Sequence, residues 1–234
     1  MKNSKTIYFY LNMIRNIVII PVRGGSKRLP KKNVKLLGGI PLFVHSINYA
    51  KKNPKICHKI VVSTDDVFIK EIALKEGVFV VDRPTELSGD LVPTKDVLKH
   101  VLEQETEQYA NVILLQATNP FRRKELLQNA FQNFIFGDYD SLMTVSRNEQ
   151  KLGTIIQNKF IPFNYKFGQR SQDLEPLYFE NGLLYISKAS LIINGEIIGE
   201  NNYPYVENHP LAKIDIDEEE DFELAEYYCK KHMM

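Results

Sequence analysis

The chain has 234 residues, 44% of them hydrophobic and 25% charged, a length that suits one domain with a full core or one domain carrying a smaller lobe. Its 30 Lys and Arg against 29 Asp and Glu leave a formal charge of +1, which excludes a global field for nucleic acid or an anionic membrane. The 2 cysteines, Cys57 and Cys229, stand far apart without paired metal-ligand spacing, so reduced thiols and a cytoplasmic setting are expected.

The first residues, "MKNSKTIYFYLNMI", place Lys2 and Lys5 ahead of apolar residues as a secretory leader does. Asn12 and Arg15 interrupt that run and no small-residue cleavage site follows, so residues 1–14 are expected to form a loose extension, with Met13 as an alternative start. No apolar run approaches the ~20 residues needed to span a bilayer, and a soluble protein without a membrane partner is expected.

From there, short apolar runs alternate with helix-period segments. "NIVIIPV" reads as a buried strand, and "PLFVHSINYAKK" as a helix with Phe43, Ile47 and Ala50 on one face and Pro41 in its first turn. "KIVVST" is a second strand. Asp65 or Asp66 is expected to cap the helix "VFIKEIALKEG", which stops at Gly77. "VFVV" is a third strand, and Thr94 is expected to cap "KDVLKHVLEQ", with Val97, Leu98, Val101 and Leu102 inward. "NVILLQ" makes a fourth strand, the helix after Pro120 buries Leu126, Leu127, Ala130 and Phe131, and "SLMTVS" makes a fifth strand. Between about Arg147 and Glu180 the pattern becomes aromatic and polar without helical period, which reads as a hairpin with long loops forming an inserted lobe. "NGLLYIS" returns to the sheet, and "LAKIDID" then "EEEDFELAEYYCKK" are expected to close the chain with a strand and a helix. Alternation of this kind specifies an α/β fold, a Rossmann-like, doubly wound and mostly parallel sheet with right-handed crossovers. Residues 15–234 are read as one domain carrying that lobe.

Two stretches carry chemistry. Directly after the first strand, Arg23, Lys27, Arg28, Lys31 and Lys32 crowd around Gly24, Gly25 and Ser26. In an open α/β sheet, ligands sit beyond the carboxyl ends of the strands. There the glycines allow a sharp turn that brings N–H groups near an anion, and cations neutralise it, as a triphosphate or pyrophosphate requires. A solvated lysine-rich turn or a nucleic-acid patch would have the same composition. No G-x-x-x-x-G-K-[ST] and no G-x-G-x-x-G is present, so neither a Walker loop nor a dinucleotide fingerprint accounts for it.

The second stretch is "KIDIDEEEDFELAE". Alternation puts Ile214 and Ile216 on one face and Asp215 and Asp217 on the other. Paired carboxylates repel unless a cation sits between them, and Mg²⁺ commonly uses one or two carboxylates together with substrate phosphates. Helix capping by Asp217 with Glu220 is the competing reading, but it leaves Asp215 without a role. Cations and a carboxylate pair together fit nucleotidyl transfer, with charge spread over the α-phosphate and the leaving pyrophosphate.

The stretch "RGGSKRLPKKN" resembles the basic loop of the acylneuraminate cytidylyltransferases, the CMP-sialic acid synthetases. "VVSTDD", "RPTELSGD", "LLQATNPFR", "RSQDL", "NGLLYI" and "IDIDEEEDFELAE" are similar to that family in the same order, from about Ile17 to the last helix. The resemblance implies transfer of CMP from CTP to a nine-carbon 2-keto sugar acid of the N-acylneuraminate or legionaminate type, with Mg²⁺ as cofactor and release of pyrophosphate. It implies that Arg23, Gly24, Gly25, Ser26, Lys27, Lys32 and Asn33 hold the triphosphate, with Arg83 and Thr94 at the nucleotide. Arg23, Lys32, Asn33, Asp215 and Asp217 are then the catalytic set, and Asp215 and Asp217 the metal ligands. It places Gln116, Arg170, Gln172, Asp173, Asn181 and Tyr185 at the sugar, where a guanidinium fork would pair with its carboxylate. It makes the 147–180 lobe a dimerisation arm of a cytoplasmic homodimer serving surface polysaccharide biosynthesis. Structural roles are the plainer alternatives at three of these positions: Gln116 closing a strand end, Tyr185 in the core, and Arg83 in a surface turn. Arg28, in an "R-x-x-S-x-R-L-P" setting, resembles instead the 3-deoxy-manno-octulosonate cytidylyltransferases. That activity and a non-catalytic nucleotide-binding protein are the alternative functions. The final helix ends the resemblance, so the phosphatase-like domain of some relatives is not expected.

Overall fold

A computed structural model describes residues 14–233, with side chains to residue 231; nearly all of the expected N-terminal extension lies outside the described residues. The first strand, β1 (Asn16–Pro21), is buried on both faces, which is why it reads as a continuous apolar run. It is followed by the basic loop, a 3₁₀ turn over Lys32–Val34, a small ladder of β2 (Leu36–Leu37) and β3 (Ile40–Pro41), and helix α1 (Leu42–Lys51). Next come β4 (Lys59–Thr64), α2 (Val67–Lys75), β5 (Phe79–Asp82), α3 (Thr94–Gln104), β6 (Asn111–Leu114), α4 (Leu126–Phe136) and β7 (Ser141–Asn148). A hairpin of β8 (Gly153–Ile156) and β9 (Lys159–Pro162) then leads to β10 (Leu177–Lys188), α5 (Ala189–Ile193), β11 (Asn202–Val206) and α6 (Glu219–Met233).

Seven strands form one sheet in the order β11–β7–β10–β6–β1–β4–β5. β5, β4, β1 and β6 are mutually parallel, β11 runs parallel to β7, and β10 lies antiparallel to both its neighbours. The sheet is covered on both faces, as a doubly wound fold requires. Val18 and Ile20 point to a core built with α1, α2 and α4, while Ile17 and Ile19 point to a second core with α3 and α5. The inward residues expected on the helices occupy these cores, Leu102 only in part, apart from Val97, which is buried but lines a cleft at the end of the sheet. Phe43, Phe131 and Phe134 are among the largest fully buried side chains. Truncating any one to Ala would cost about 3–5 kcal/mol, the transfer term plus the cavity left behind. Chain order reverses at β1, since β4 and β5 lie to one side and β6 to the other. The carboxyl ends of β1 and β6 thus frame the crevice where such folds take their ligands.

The inserted segment is narrower than expected: the sheet continues to Asn148 and resumes at Leu177. Gln157 and Asn158, at φ 49° and 62°, make the tight hairpin turn between β8 and β9. The closing "LAKIDID" is not a strand. Pro210–Lys213 is a 3₁₀ turn, and residues 214–217 run extended without a ladder. The alternation holds, with Ile214 and Ile216 buried, because one side packs on Leu29, Leu37 and Phe222. Instead of joining a ladder the segment lies on the loop beyond β6, where the Ile216 N–H donates to the Thr118 carbonyl at 2.9 Å.

Candidate functional site

A polar cleft of about 350 Å³ opens at the carboxyl end of the sheet. Pro21, Arg23, Gly25, Ser26, Lys32 and Asn33 form one wall, the loop between β5 and α3 a second, and Gln116, Thr118, Asp215 and Asp217 lie across from them. Bonds from Asn119 and to Thr118 in the loop beyond β6 hold the 214–217 segment where Asp217 meets the basic loop.

The cations of the loop are held by carboxylates of the chain itself, Arg23 and Lys32 on the cleft lining and Lys27 and Arg28 exposed outside it. Asp90 accepts Arg23 Nη1 at 2.6 Å and Lys27 Nζ at 2.5 Å. Asp217 accepts Arg28 Nη2 at 2.6 Å and Lys32 Nζ at 2.9 Å. Hydrogen bonds from Lys27 first and Arg23 second keep the Asp90 carboxyl below its ordinary pKa. For Asp217, burial pushes upward, but Lys32 and Arg28 outweigh it and leave the group below its ordinary value. Asp215 goes the other way. Asp215 keeps solvent access at the cleft, yet partial desolvation first and the Asp217 charge next raise its pKa against the opposing Thr118 hydroxyl and Lys32. One carboxylate has cations and the other wants one. Among the described residues no group of three or more His, Cys, Asp or Glu could cage a metal. The Asp215 and Asp217 carboxylates are hard oxygen donors, of the kind that hold Mg²⁺ together with other oxygen ligands.

The loop geometry refines the expectation for the glycines. Asp66 caps α2 by accepting the Ile69 N–H at 2.9 Å, while Asp65 accepts the Gly24 N–H at 3.0 Å, so that donor is already taken. Gly24 must be glycine because a Cβ there would lie 2.5 Å from Asp66 Oδ2; Gly25 meets nothing within 4 Å. Asn33 is buried and donates to the Arg23 carbonyl at 2.9 Å, closing the loop on itself. Thr94 lines the cleft but does not cap α3, whose N-cap position is Pro93. At α6 the side chain that reaches back is Asp221, accepting the Asp217 and Glu218 N–H groups at 3.0 and 2.9 Å, in place of the Asp217–Glu220 pair.

Arg83 is a buried residue, not a surface turn residue. Its Nη2 donates to the Ser63 carbonyl at 2.6 Å, and burial lowers its pKa to about 10. Gln116 lies on the cleft wall, beside Gly182, against whose position its Oε1 is packed. The remaining expected sugar residues stand elsewhere. Asn181 is buried, with Nδ2 on Ser146 Oγ at 3.0 Å and Oδ1 on the Leu183 N–H at 3.2 Å, shaping the irregularity in β10. Tyr185 donates to Glu180 Oε2 at 3.1 Å, and burial and that carboxylate raise its pKa. Arg170 is paired with Asp173 by hydrogen bonds of 2.8 and 3.1 Å, and with Gln172 both lie on the exposed arm rather than along the cleft. Sequence reasoning missed Asp65, Asp90 and Thr118. Each lies in a stretch already set apart, "VVSTDD", "RPTELSGD" and "LLQATNPFR", but its partner lies far along the chain, so no role at the site followed from it.

A family model described as cytidylyltransferase matches residues 17–234. N-acylneuraminate cytidylyltransferase of Streptococcus agalactiae serotype III is 34% identical over 219 residues, 89% of this chain and 52% of that protein. CMP-N,N'-diacetyllegionaminic acid synthase of Legionella pneumophila is 34% identical, covering 91% of this chain and 95% of that protein. Pseudaminic acid cytidylyltransferase of Campylobacter jejuni is 31% identical, covering 93% and 97%. The chain spans about half the length of the streptococcal relative. Among solved structures, a CMP:2-keto-3-deoxy-manno-octonic acid synthetase complexed with CTP superposes with a TM-score of 0.71 at 15% identity, over 93% of this chain and 99% of that one. At that identity the likeness is one of fold.

Proposed function

The chain belongs to the cytidylyltransferase family, and from that membership we propose that it joins CMP from CTP to a nine-carbon 2-keto sugar acid. The observation that carries this reading is the convergence of the basic loop and the Asp215–Asp217 pair on one cleft at the switch point of the sheet. Two relatives that align over nearly their whole length are named for legionaminic and pseudaminic acids. In the reaction the anomeric hydroxyl of the sugar attacks the α-phosphorus, the bond to the bridging oxygen breaks, pyrophosphate leaves and the hydroxyl proton is lost. Arg23, Lys27 and Lys32 exchange their carboxylate partners for the triphosphate, with Gly25, Ser26 and Asn33 shaping the loop beneath it. Arg83 and Thr94 line the nucleotide end, and Gln116 faces the acceptor.

Mg²⁺, bound by Asp215 and Asp217 with the phosphates, would supply charge neutralisation at the α-phosphorus and leaving group. Asp215 is suited to that role by the absence of a direct cation partner among the described residues, and Asp217 because its pairing with the exposed Arg28 exchanges easily.

The arm is read as a dimerisation element. Ile155 and Phe163 on it are 77% and 74% exposed, far more apolar surface than a free hairpin keeps in water. In a homodimer, Arg170, Gln172 and Asp173 would reach the partner's cleft. A cytoplasmic enzyme supplying activated sugar for surface polysaccharide fits the free thiols and the lack, among the described residues, of a helix able to cross a membrane. The eight-carbon octulosonic acid is the second candidate substrate, since Arg28 stands in the "R-x-x-S-x-R-L-P" setting and pairs with Asp217 at the cleft. Phosphorus NMR of CTP, Mg²⁺, enzyme and each acid tests the proposal. A CMP diester and pyrophosphate in one-to-one amount are expected; CTP left intact with every acid would refute it.

A further inference from the structure

Arg122 lies behind the cleft, not among the residues lining it. The residue keeps some surface, but its guanidinium is enclosed, and burial lowers its pKa to about 10. Among the described residues no carboxylate pairs with it. Its neighbours are the Tyr49 ring, 5.7 Å from the guanidinium carbon, and three oxygen acceptors on three separate parts of the fold. Nε donates to the Leu183 carbonyl in β10 at 2.6 Å, Nη1 to Ser46 Oγ in α1 at 3.0 Å, and Nη2 to the Gln116 carbonyl at 2.7 Å. Ser46 Oγ donates to the same Gln116 carbonyl at 3.2 Å.

Enclosing a guanidinium without a counter-charge is expensive. What the fold obtains is a planar fork whose donors hold fixed angles, which an ammonium cannot reproduce. The fork fixes two backbone stretches relative to each other. Gln116 is the first residue past the last ladder bond of β6, and Leu183 follows Gly182, which stands at φ 72°. Gln116 Oε1 packs so closely on Gly182 that a Cβ there would lie 2.7 Å away. Asn119, in the same loop as Arg122, donates to the Asn181 carbonyl at 3.0 Å and the Ile214 carbonyl at 3.4 Å, immediately before Asp215. The loop from Gln116 to Arg122 is thus a bracket tying the cleft wall to β10 and to the acidic segment.

We propose that Arg122 is a positioning residue that sets the placement of Gln116, and through it of the acceptor sugar acid against CTP, while touching neither substrate. The inference rests on the reading that Gln116 faces the acceptor. Its test uses the full-length enzyme with Arg122→Lys, Arg122→Met and Ser46→Ala. The acceptor is whichever of N-acetylneuraminic, N,N'-diacetyllegionaminic and pseudaminic acid gives the fastest wild-type pyrophosphate release. Arg122→Met is expected to lower kcat/KM for the acid about 100-fold, the loss typical of a small misplacement of a reactant. Its CTP dissociation constant by calorimetry should stay near the wild-type value. Arg122→Lys, which keeps the charge and loses the fork, should hold its Tm yet remain about tenfold down toward the acid. Ser46→Ala should move in the same direction by about threefold. Should Arg122→Met fail to fold, the Lys and Ser46 variants decide. Equal losses toward CTP and the acid, or a Lys variant with wild-type kcat/KM, would overturn the proposal. A wild-type enzyme silent with all three acids would overturn the functional reading and this inference with it.

Discussion

Gly182 offers a perturbation whose size can be worked out from the structure. It sits within the irregular stretch of β10 between Glu180 and Tyr185, at φ 72°. Gly182→Ala places a Cβ 2.6 Å from Asn119 Oδ1 and 2.7 Å from Gln116 Oε1. An L residue in the left-handed region costs about 1–2 kcal/mol. Asn119 is fully buried and holds Asn181, so moving it weakens a hydrogen bond worth about 0.5–1.5 kcal/mol. The combined loss of about 2–3 kcal/mol corresponds to a Tm drop of roughly 5–10 °C for a chain of this size. Gly195→Ala is the matched control, with φ 86° and nothing within 4 Å of the new Cβ, so it carries the backbone cost alone. Scanning calorimetry on the two variants separates the terms. Gly182→Ala should fall clearly further than Gly195→Ala and should also lose turnover with the acid. Equal Tm values would refute the claim that Gln116 and Asn119 are braced against this glycine.

Asp215→Asn should leave Tm close to the wild-type value, because its side chain keeps solvent access, while pyrophosphate release falls by about 10²–10³-fold. A lower Tm or near-wild-type turnover would contradict that assignment. Acid should destabilise the fold early. Burial lowers the pKa of His45, which donates from Nε2 to the Leu37 carbonyl, and of His58, whose Nδ1 accepts the Asn16 N–H. For a histidine with a depressed folded pKa the neutral form is favoured in the fold, so stability present above the unfolded value of 6.5 is lost as pH falls below it. Tm measured from pH 7.5 to 5.5 should decline; a flat profile would count against it. On the arm, Ile155→Asp combined with Phe163→Asp should convert a dimer to a monomer in light scattering without weakening CTP binding. An unchanged mass would remove the arm from the interface.

Much of the fold was legible because burial imposes periods on sequence. β1 and β4 read as strands, and the buried faces of α1, α3 and α4 follow from spacing of 3.6. Direction and partner choice leave no such trace. "NGLLYIS" looks the same in a parallel or an antiparallel strand, and "NYPYV", interrupted by Pro204, gives little sign of the edge strand β11. The acidic segment shows the limit of alternation. Ile214 and Ile216 alternate because one side is packed, and nothing in that pattern demands a ladder. In the site, the basic loop and the carboxylate pair were visible from residue type. That Asp90 holds Arg23 and Lys27, or that Arg122 joins Ser46, Gln116 and Leu183, depends on contacts between distant parts of the chain.

The central claim is transfer of CMP to a nine-carbon acid, and initial rates of pyrophosphate release from CTP with Mg²⁺ test it most directly. The panel is N-acetylneuraminic, N,N'-diacetyllegionaminic, pseudaminic and 3-deoxy-manno-octulosonic acids, with CTP alone as blank. The account predicts release that depends on one of the three nine-carbon acids and exceeds the octulosonic rate. Release with the octulosonic acid alone, or with none of the four while CTP still binds, would contradict it.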